Sequence, residues 1–308
     1  MSLVPVIVTG GAGFIGTHLV HSLLDNRQRV LTIDRVAKPK SLTPSNLLIY
    51  KRMNVANVRS MSMAGIREAK IVHLAAEVSV VKSVQDPIST IRSNIGVTCE
   101  MLEFARKIDS DRFVLASTAA VYGDKAGRCR ETDPPSPASP YAVSKLACEH
   151  YCRIYSSLYG IQTVILRYFN VYGPGQSSQY AGAISSFIKR AFNGKPPVIF
   201  GDGKQTRDFV YKDDVVAATI ASLERKLSGG TTLNIATSRP ITINSLASKI
   251  MKICERSYLK ATHRPPRRGD IRHSVADISE AQLKIGFRPL HDLDRGLRET
   301  IDWFRKAN

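Results

Sequence analysis

Val6-Ile7-Val8-Thr9-Gly10-Gly11-Ala12-Gly13-Phe14-Ile15-Gly16 is the stretch on which the fold turns. A run of apolar and β-branched residues reads as a buried strand and passes directly into glycines at positions 10, 13 and 16. That spacing makes a tight turn whose backbone can approach a pyrophosphate, with the anion seated on the N-terminus of the helix that Phe14 opens. A tight strand-to-helix turn with no ligand is the plainer alternative. The next apolar run, VLTID, weighs against it, because it ends in Asp34 at the distance expected for a carboxylate that accepts from a ribose 2′-hydroxyl. A carboxylate there repels a 2′-phosphate and favours NAD over NADP, although Arg35 stands beside it. Gly11 to Thr17 lacks a lysine before the threonine, so the segment fails as a nucleotide-triphosphate loop.

Outward from this turn, strand-like and helical patterns alternate: a helix from Phe14 to about Leu24, VLTID, IVHLA, a helix near Asn94 to Lys107, RFVLAS, a helix after Tyr141, then TVILR. Continuous apolar strands separated by helices imply a parallel sheet covered on both faces. After Gly173-Pro174-Gly175 the pattern shortens, with helices expected near Ala181 to Phe192, Asp213 to Lys226, Asn244 to Arg256 and Leu293 to Phe304. The reading is an α/β chain with a Rossmann-type doubly wound parallel sheet and a smaller C-terminal α/β substrate lobe. Residues 1–170 form the dinucleotide-binding domain and 171–308 mainly the other lobe, with later segments crossing back to the sheet.

The 308 residues are 43% hydrophobic and 23% charged, enough to bury a core, and disordered or low-complexity classes drop out. No run of 18 apolar residues spans a membrane, and the opening SLVPVIVTG reads as a first strand and not as a signal peptide. Five cysteines at no framework spacing fit a reducing compartment, so a cytoplasmic location is expected. The net charge of +18 should attract polyanions. Its densest stretch, Lys260 to His273, has no aromatic interleaving for base stacking, so a pocket for nucleotide diphosphates is favoured over nucleic acid.

Tyr141 and Lys145 stand four apart at the start of a helix that follows DPPSPASP, so the ammonium can lie under the phenol. A phenol near pKa 10 is a poor base at neutral pH, and a nearby ammonium together with a cationic nicotinamide should bring it toward working range. Any helix can hold such a pair. The strand RFVLAS, however, ends in Ser117 and Thr118, supplying hydroxyls where parallel sheets open their crevice.

Seven motifs in order (GGAGFIG, HLAAEVSV, ASTAAVYG, SPYAVSKLACE, LRYFNVYGPGQ, GDGKQTRDFVY and RRGDIRHSVAD) resemble the extended short-chain dehydrogenases/reductases along nearly the whole chain. Within them, the chain is similar to the nucleotide-sugar 4-epimerases of the UDP-glucose 4-epimerase type. The resemblance implies NAD as cofactor and a UDP-sugar as substrate. It implies that Tyr141 is the base, Lys145 its electrostatic partner and Thr118 a proton relay at the sugar 4-oxygen. Hydride would leave sugar carbon 4, and the flat 4-keto sugar would turn over and recover the hydride on its other face. The cofactor set implied is Gly10, Gly13, Phe14, Ile15, Gly16, Asp34, Asn54, Val55, Leu74, Ala75, Ala76 and Asn94, with Tyr141 and Lys145. Asn54 replaces an aspartate common in the family, and its amide oxygen still accepts. The substrate set implied is Thr118, Asn170, Arg207, Arg267, Asp270 and Ser274. Arginine suits diphosphate because its fork pairs two oxygens at once. Ala119 and Ala120 stand where relatives that dehydrate the sugar carry an acid. Ser274 stands where a bulky tyrosine restricts some members to sugars without an N-acetyl group.

Cys148 and Cys152 share a helix face, but no second ligand pair suggests a metal, and they read as packing residues. His73 reads as structural, and Glu77 has no assigned role. The resemblance also implies a homodimer through the helices near Asn94 to Lys107 and after Tyr141. A uronate 4-epimerase or a reductase, and a non-catalytic RNA-binding module, remain as alternative readings.

Overall fold

A computed structural model describes residues 5–61, 66, 68–176, 182–266 and 271–307. The strands are β1 (Val6–Thr9), β2 (Val30–Asp34), β3 (Leu48–Arg52), β4 (Lys70–His73), β5 (Arg112–Thr118), β6 (Thr163–Tyr168), β7 (Asn170–Tyr172), β8 (Val198–Phe200), β9 (Thr206–Tyr211), β10 (Thr231–Ile235), β11 (Pro240–Thr242), β12 (Thr262–Arg264) and β13 (His273–Ser274). The helices are α1 (Phe14–Asp25), α2 (Val80–Gln85), α3 (Pro87–Ile91), α4 (Val97–Lys107), α5 (Pro140–Tyr159), α6 (Ala183–Phe192), α7 (Lys212–Glu224), α8 (Ile243–Ile253), α9 (Ser279–Ile285) and α10 (Leu293–Ala307).

Seven strands pair in parallel in the order β10-β6-β5-β4-β1-β2-β3. Alternation along each strand sends successive side chains to opposite faces. Val6, Val8, Val114, Val164 and Leu166 join the core beneath α1 and α7. Ile7, Phe113, Leu115 and Ile165 join the one beneath α4 and α5. This is the doubly wound sheet that the unbroken apolar runs call for. The strand nearest the C-terminus in this sheet, β10, lies at its edge beside β6.

A third core gathers α6, α8 and α10 around Ile188, Leu246, Ile250 and Leu297. Beside it β9 takes β11 on one side and β13 on the other, and β7 also pairs with β9. Because β7 begins two residues after β6 ends, Asn170 is carried from the large sheet directly to the small one.

Candidate functional site

The glycine turn is shaped by approaches that a side chain would block. Gly10 has φ +72°, and a Cβ there would stand 2.8 Å from the Ala75 amide nitrogen. At Gly16 a Cβ would stand 2.2 Å from the Gly10 carbonyl oxygen, so α1 can pack this close to β1 only without one. Gly13 caps α1 with no side-chain bond, and no acid lies in the first turn. By contrast, Ser139 caps α5 by accepting from Ala142 N and Thr242 caps α8 by accepting from Ser245 N. The amides opening at Phe14, Ile15 and Gly16 thus start a helix with no side-chain cap and no acid in its own first turn.

Asp34 closes the other side. Its Oδ2 accepts from Ala12 N at 3.0 Å and its Oδ1 from Val36 N at 3.2 Å, which holds the carboxylate against the turn. Leu74, Ala75 and Ala76 follow β4 directly, and Ala75 N donates to Thr9 Oγ1 at 3.3 Å, so small residues back Gly10. A glycine-rich turn, a helix start without a side-chain cap and a carboxylate at the neighbouring strand end fit a dinucleotide.

Three cofactor expectations sit differently. Asn54 Oδ1 accepts from Ala56 N at 3.1 Å and starts a 3-10 turn. Val55 places its side chain in the core with Ile33 and Ile71, so its backbone alone can meet a ligand. Asn94 is 1% exposed, and its amide is taken up by the protein: Oδ1 accepts from Glu77 N (2.8 Å), while Nδ2 donates to Glu77 O (3.1 Å) and Ser144 Oγ (2.9 Å). It therefore braces the loop after β4 against α5, with both donors of its Nδ2 engaged and one bond accepted by its Oδ1. It does so from a π-helical turn, Arg92–Gly96, a distortion that often marks functional regions. Glu77 stays with its own loop, accepting from Ser79 N at 3.0 Å and lying 3.5 Å from Lys82 Nζ.

At the C-terminal end of β5, Thr118 Oγ1 accepts from Ala120 N at 3.2 Å, and its hydroxyl lies near enough to the Tyr141 phenol to act on its titration. Tyr141 occupies the first turn of α5, where Ser139 and Pro140 start the helix, and Lys145 follows one turn later. Both are buried. Burial pushes the phenol up to about 12, and the Thr118 hydroxyl pulls in the opposite direction. Burial also pushes Lys145 down, opposed by Cys148, Cys152 and Glu149.

His73 is buried between Thr9 Oγ1 (2.7 Å from Nδ1) and Thr98 Oγ1 (3.2 Å from Nε2). Burial, with the Lys145 charge adding, pushes it down to about 3, so it is a neutral structural histidine. Thr98 Oγ1 also lies 3.2 Å from Cys148 Sγ, and Cys148 and Cys152 pack in the core beneath α5.

On the other lobe, Asn170 Nδ2 donates to Asp208 O at 3.0 Å across the β7–β9 pair. Arg207 and Ser274, 67 positions apart in sequence, are direct register partners on β9 and β13. Arg267 and Asp270 lie outside the described residues. Two groups that sequence reading passed over hold this region. The fully buried Asp208 carboxylate accepts from Thr237 N, Thr237 Oγ1, Ser238 N and Ala276 N at 2.6–3.3 Å. Glu149 and Arg167 form an ion pair between α5 and β6 with 0% and 1% of their side chains exposed. Asp208 and Glu149 stand inside the motifs GDGKQTRDFVY and SPYAVSKLACE, but nothing local shows that either charge will be buried, which is rare for these residue types.

The chain matches the model of the NAD dependent epimerase/dehydratase family over residues 6–236. Among solved structures it is similar to the UDP-glucose 4-epimerase of Thermotoga maritima with UDP-glucose, at 34% identity and TM-score 0.92, covering 98% of this chain and 99% of that one. It is similar to the UDP-N-acetylglucosamine 4-epimerase of Methanobrevibacter ruminantium in complex with UDP-N-acetylmuramic acid, at 35% identity and TM-score 0.91, covering all of both chains. It is equally similar to the UDP-glucuronic acid 4-epimerase of Bacillus cereus in complex with UDP-glucuronic acid and NAD, at 34% identity and TM-score 0.90, covering 99% and 100%.

Proposed function

The chain belongs to the NAD dependent epimerase/dehydratase family, and from that premise we propose that it binds NAD and inverts carbon 4 of a UDP-hexose through a transient 4-keto sugar. The carrying observation is the placement of Thr118 at the C-terminal end of β5 beside α5, whose first turns bury Tyr141 and Lys145 one helical turn apart. When bound, the nicotinamide supplies a reversible hydride acceptor and a positive charge. The protein positions and moves the proton. Tyr141 takes it from the 4-hydroxyl, Thr118 offers a hydroxyl through which it can pass, and Lys145 provides a cation that favours phenolate once a cationic ring adds to it. The same pair returns the proton to the 4-oxygen once the 4-keto sugar has turned over and recovered the hydride on its other face. Ala119 and Ala120 carry no acid to eliminate water, which favours epimerisation over dehydration.

Asn170, Arg207, Arg267, Asp270 and Ser274 are proposed to hold the UDP-sugar, and residues 1–170 and 171–308 to divide the cofactor from the substrate. The Arg207–Ser274 register supports a diphosphate contact and a sugar-facing position on adjacent strands. A serine there leaves space for an N-acetyl group, so we assign UDP-glucose/galactose together with their N-acetylated counterparts. A uronate substrate is the second reading, since a UDP-glucuronic acid 4-epimerase is among the similar structures.

A homodimer is proposed through α5 and its neighbours. Val143, Ile154 and Leu158 on α5 are 49–67% exposed, and Val81, Val84 and Ile88 on α2 and α3, which pack beside α5, are 56–64% exposed. Exposed apolar side chains on adjoining helices are what a subunit interface covers. None of the described helices is long and apolar enough to cross a membrane. Five cysteines without a disulfide support a cytoplasmic location.

Proton NMR of UDP-galactose, UDP-N-acetylgalactosamine and UDP-glucuronic acid with the protein and NAD tests the assignment. Inversion of the first two supports it. Inversion of the first alone removes the role given to Ser274, and inversion of the uronate alone replaces the substrate. With Ser274→Tyr, activity on the N-acetylated sugar should fall while activity on UDP-galactose persists.

A further inference from the structure

We infer that Glu149, held by Arg167, is a positioning residue that sets the Thr118–Tyr141 geometry; this rests on the reading of that pair as the reactive site. Three segments carry the groups in question, and one carboxylate ties all three. Glu149 lies one helical turn beyond Lys145 on α5. Its Oε1 accepts from Ser117 Oγ at 2.5 Å, and Ser117 is the residue immediately before Thr118 on β5. The same oxygen accepts from Arg167 Nε at 3.0 Å and Oε2 accepts from Arg167 Nη2 at 2.7 Å, a bidentate pair with β6, the strand that leads to Asn170. Arg153, one turn further along α5, adds a fourth bond at 3.1 Å.

Both partners are fixed from behind as well. The Arg167 guanidinium lies 4.7 Å over the Tyr122 ring, whose hydroxyl donates to Asn234 Oδ1 at 2.7 Å on β10. Burial disfavours the charged carboxyl, but the Arg167 bonds outweigh it and hold Glu149 below the usual carboxylate range. A buried ion pair is costly to bring out of water and is often matched in stability by apolar residues of similar volume. Here its directional bonds do something apolar groups cannot: they fix the distance between the end of β5 and the first turns of α5. Reaction rates depend steeply on such distances.

Ser117→Ala cuts the link to β5 while leaving the ion pair intact. The expected result is a kcat about 10-fold lower with KM within twofold, since misplacement by a fraction of an ångström acts on the reacting atoms and not on distant binding contacts. The 13Cζ resonance of Tyr141, assigned by its loss in Tyr141→Phe, should move in Ser117→Ala without any ligand present. Glu149→Leu with Arg167→Met should melt near the wild type yet turn over at least 10-fold more slowly. An unchanged kcat and an unmoved resonance in Ser117→Ala overturn the inference. So does a double variant that is both stable and fully active; if it does not fold, Ser117→Ala decides alone. If the wild type inverts no UDP-sugar, the site reading fails, and the Tyr141 resonance still reports whether the clamp sets its surroundings.

Discussion

Replacing Gly10 by alanine tests the turn that holds the cofactor in this account, and Gly96 provides the matched control. At Gly10 the backbone is left-handed with φ +72°, which costs an alanine about 1–2 kcal/mol. The new Cβ would also stand 2.8 Å from Ala75 N and 3.0 Å from Ala75 Cα and the Leu74 carbonyl carbon. All three are backbone atoms that cannot swing away, so relief must come from separating the glycine turn from the end of β4, at about 1–3 kcal/mol. Against this the reduced freedom of the unfolded chain returns less than about 1 kcal/mol. At Gly96 the backbone is helical (φ −56°, ψ −50°) and nothing lies within 4 Å of a Cβ, so alanine should stabilise by about 0.5–1 kcal/mol. The two variants should therefore differ by roughly 2–5 kcal/mol, or by about 4–10 °C in melting temperature at roughly 2 °C per kcal/mol for a chain of this size. Calorimetric melting measures that difference, and titration with NAD should show weaker binding in Gly10→Ala alone. Melting temperatures within 2 °C of each other, with equal NAD affinity, would refute the claim that β1 and β4 approach too closely for a side chain.

Other expectations follow from single groups. Tyr141→Phe should lower kcat by about 10²–10⁴-fold while NAD and UDP-sugar still bind, measured by product NMR and by titration. Stability should fall in acid partly through His73. Its folded pKa, about 3, lies below the unfolded value near 6.5, so the unfolded chain takes up the proton first and stability is lost as pH drops through that window. His73→Asn should flatten the wild-type slope between pH 6.5 and 4.5 by about 1.4 kcal/mol per unit, read from urea midpoints; parallel curves would remove His73 from the account. Ile154→Glu places a charge on the exposed apolar face of α5 and should convert a dimer to a monomer in sedimentation at micromolar concentration.

The parts of this molecule legible in its sequence are those whose physics is local. Glycines at 10, 13 and 16 declare a backbone constraint, and four-residue spacing puts Tyr141 and Lys145 on one helix. Alternating burial along β1, β5 and β6 shows as unbroken apolar runs. What stays hidden depends on partners far along the chain. Nothing around Arg207 announces that Ser274 will lie beside it, because strands this short carry no periodic signal. The pair Glu149–Arg167 looks like two ordinary charges until α5 and β6 are packed together. The resemblance gives Asn94 a cofactor role, and its bonds to Glu77 and Ser144, which brace two segments together, have no signal in the sequence. The phenol of Tyr141 reads as lowered from its neighbour four residues on, whereas apolar burial, invisible in spacing, moves it the other way.

The placement of β10 at the edge of the large sheet bears on how the chain is made. Roughly sixty residues separate the end of β6 from the start of β10, so at about 5–20 residues per second the ribosome needs several seconds to deliver the missing strand. During that interval β6, with Val164, Ile165 and Leu166 side by side, presents an unpaired backbone edge. The nascent chain is thus most vulnerable to sticking midway through translation. Slow codons or a stall within residues 169–230 should send more of the product into aggregates than the same delay placed after Ile235.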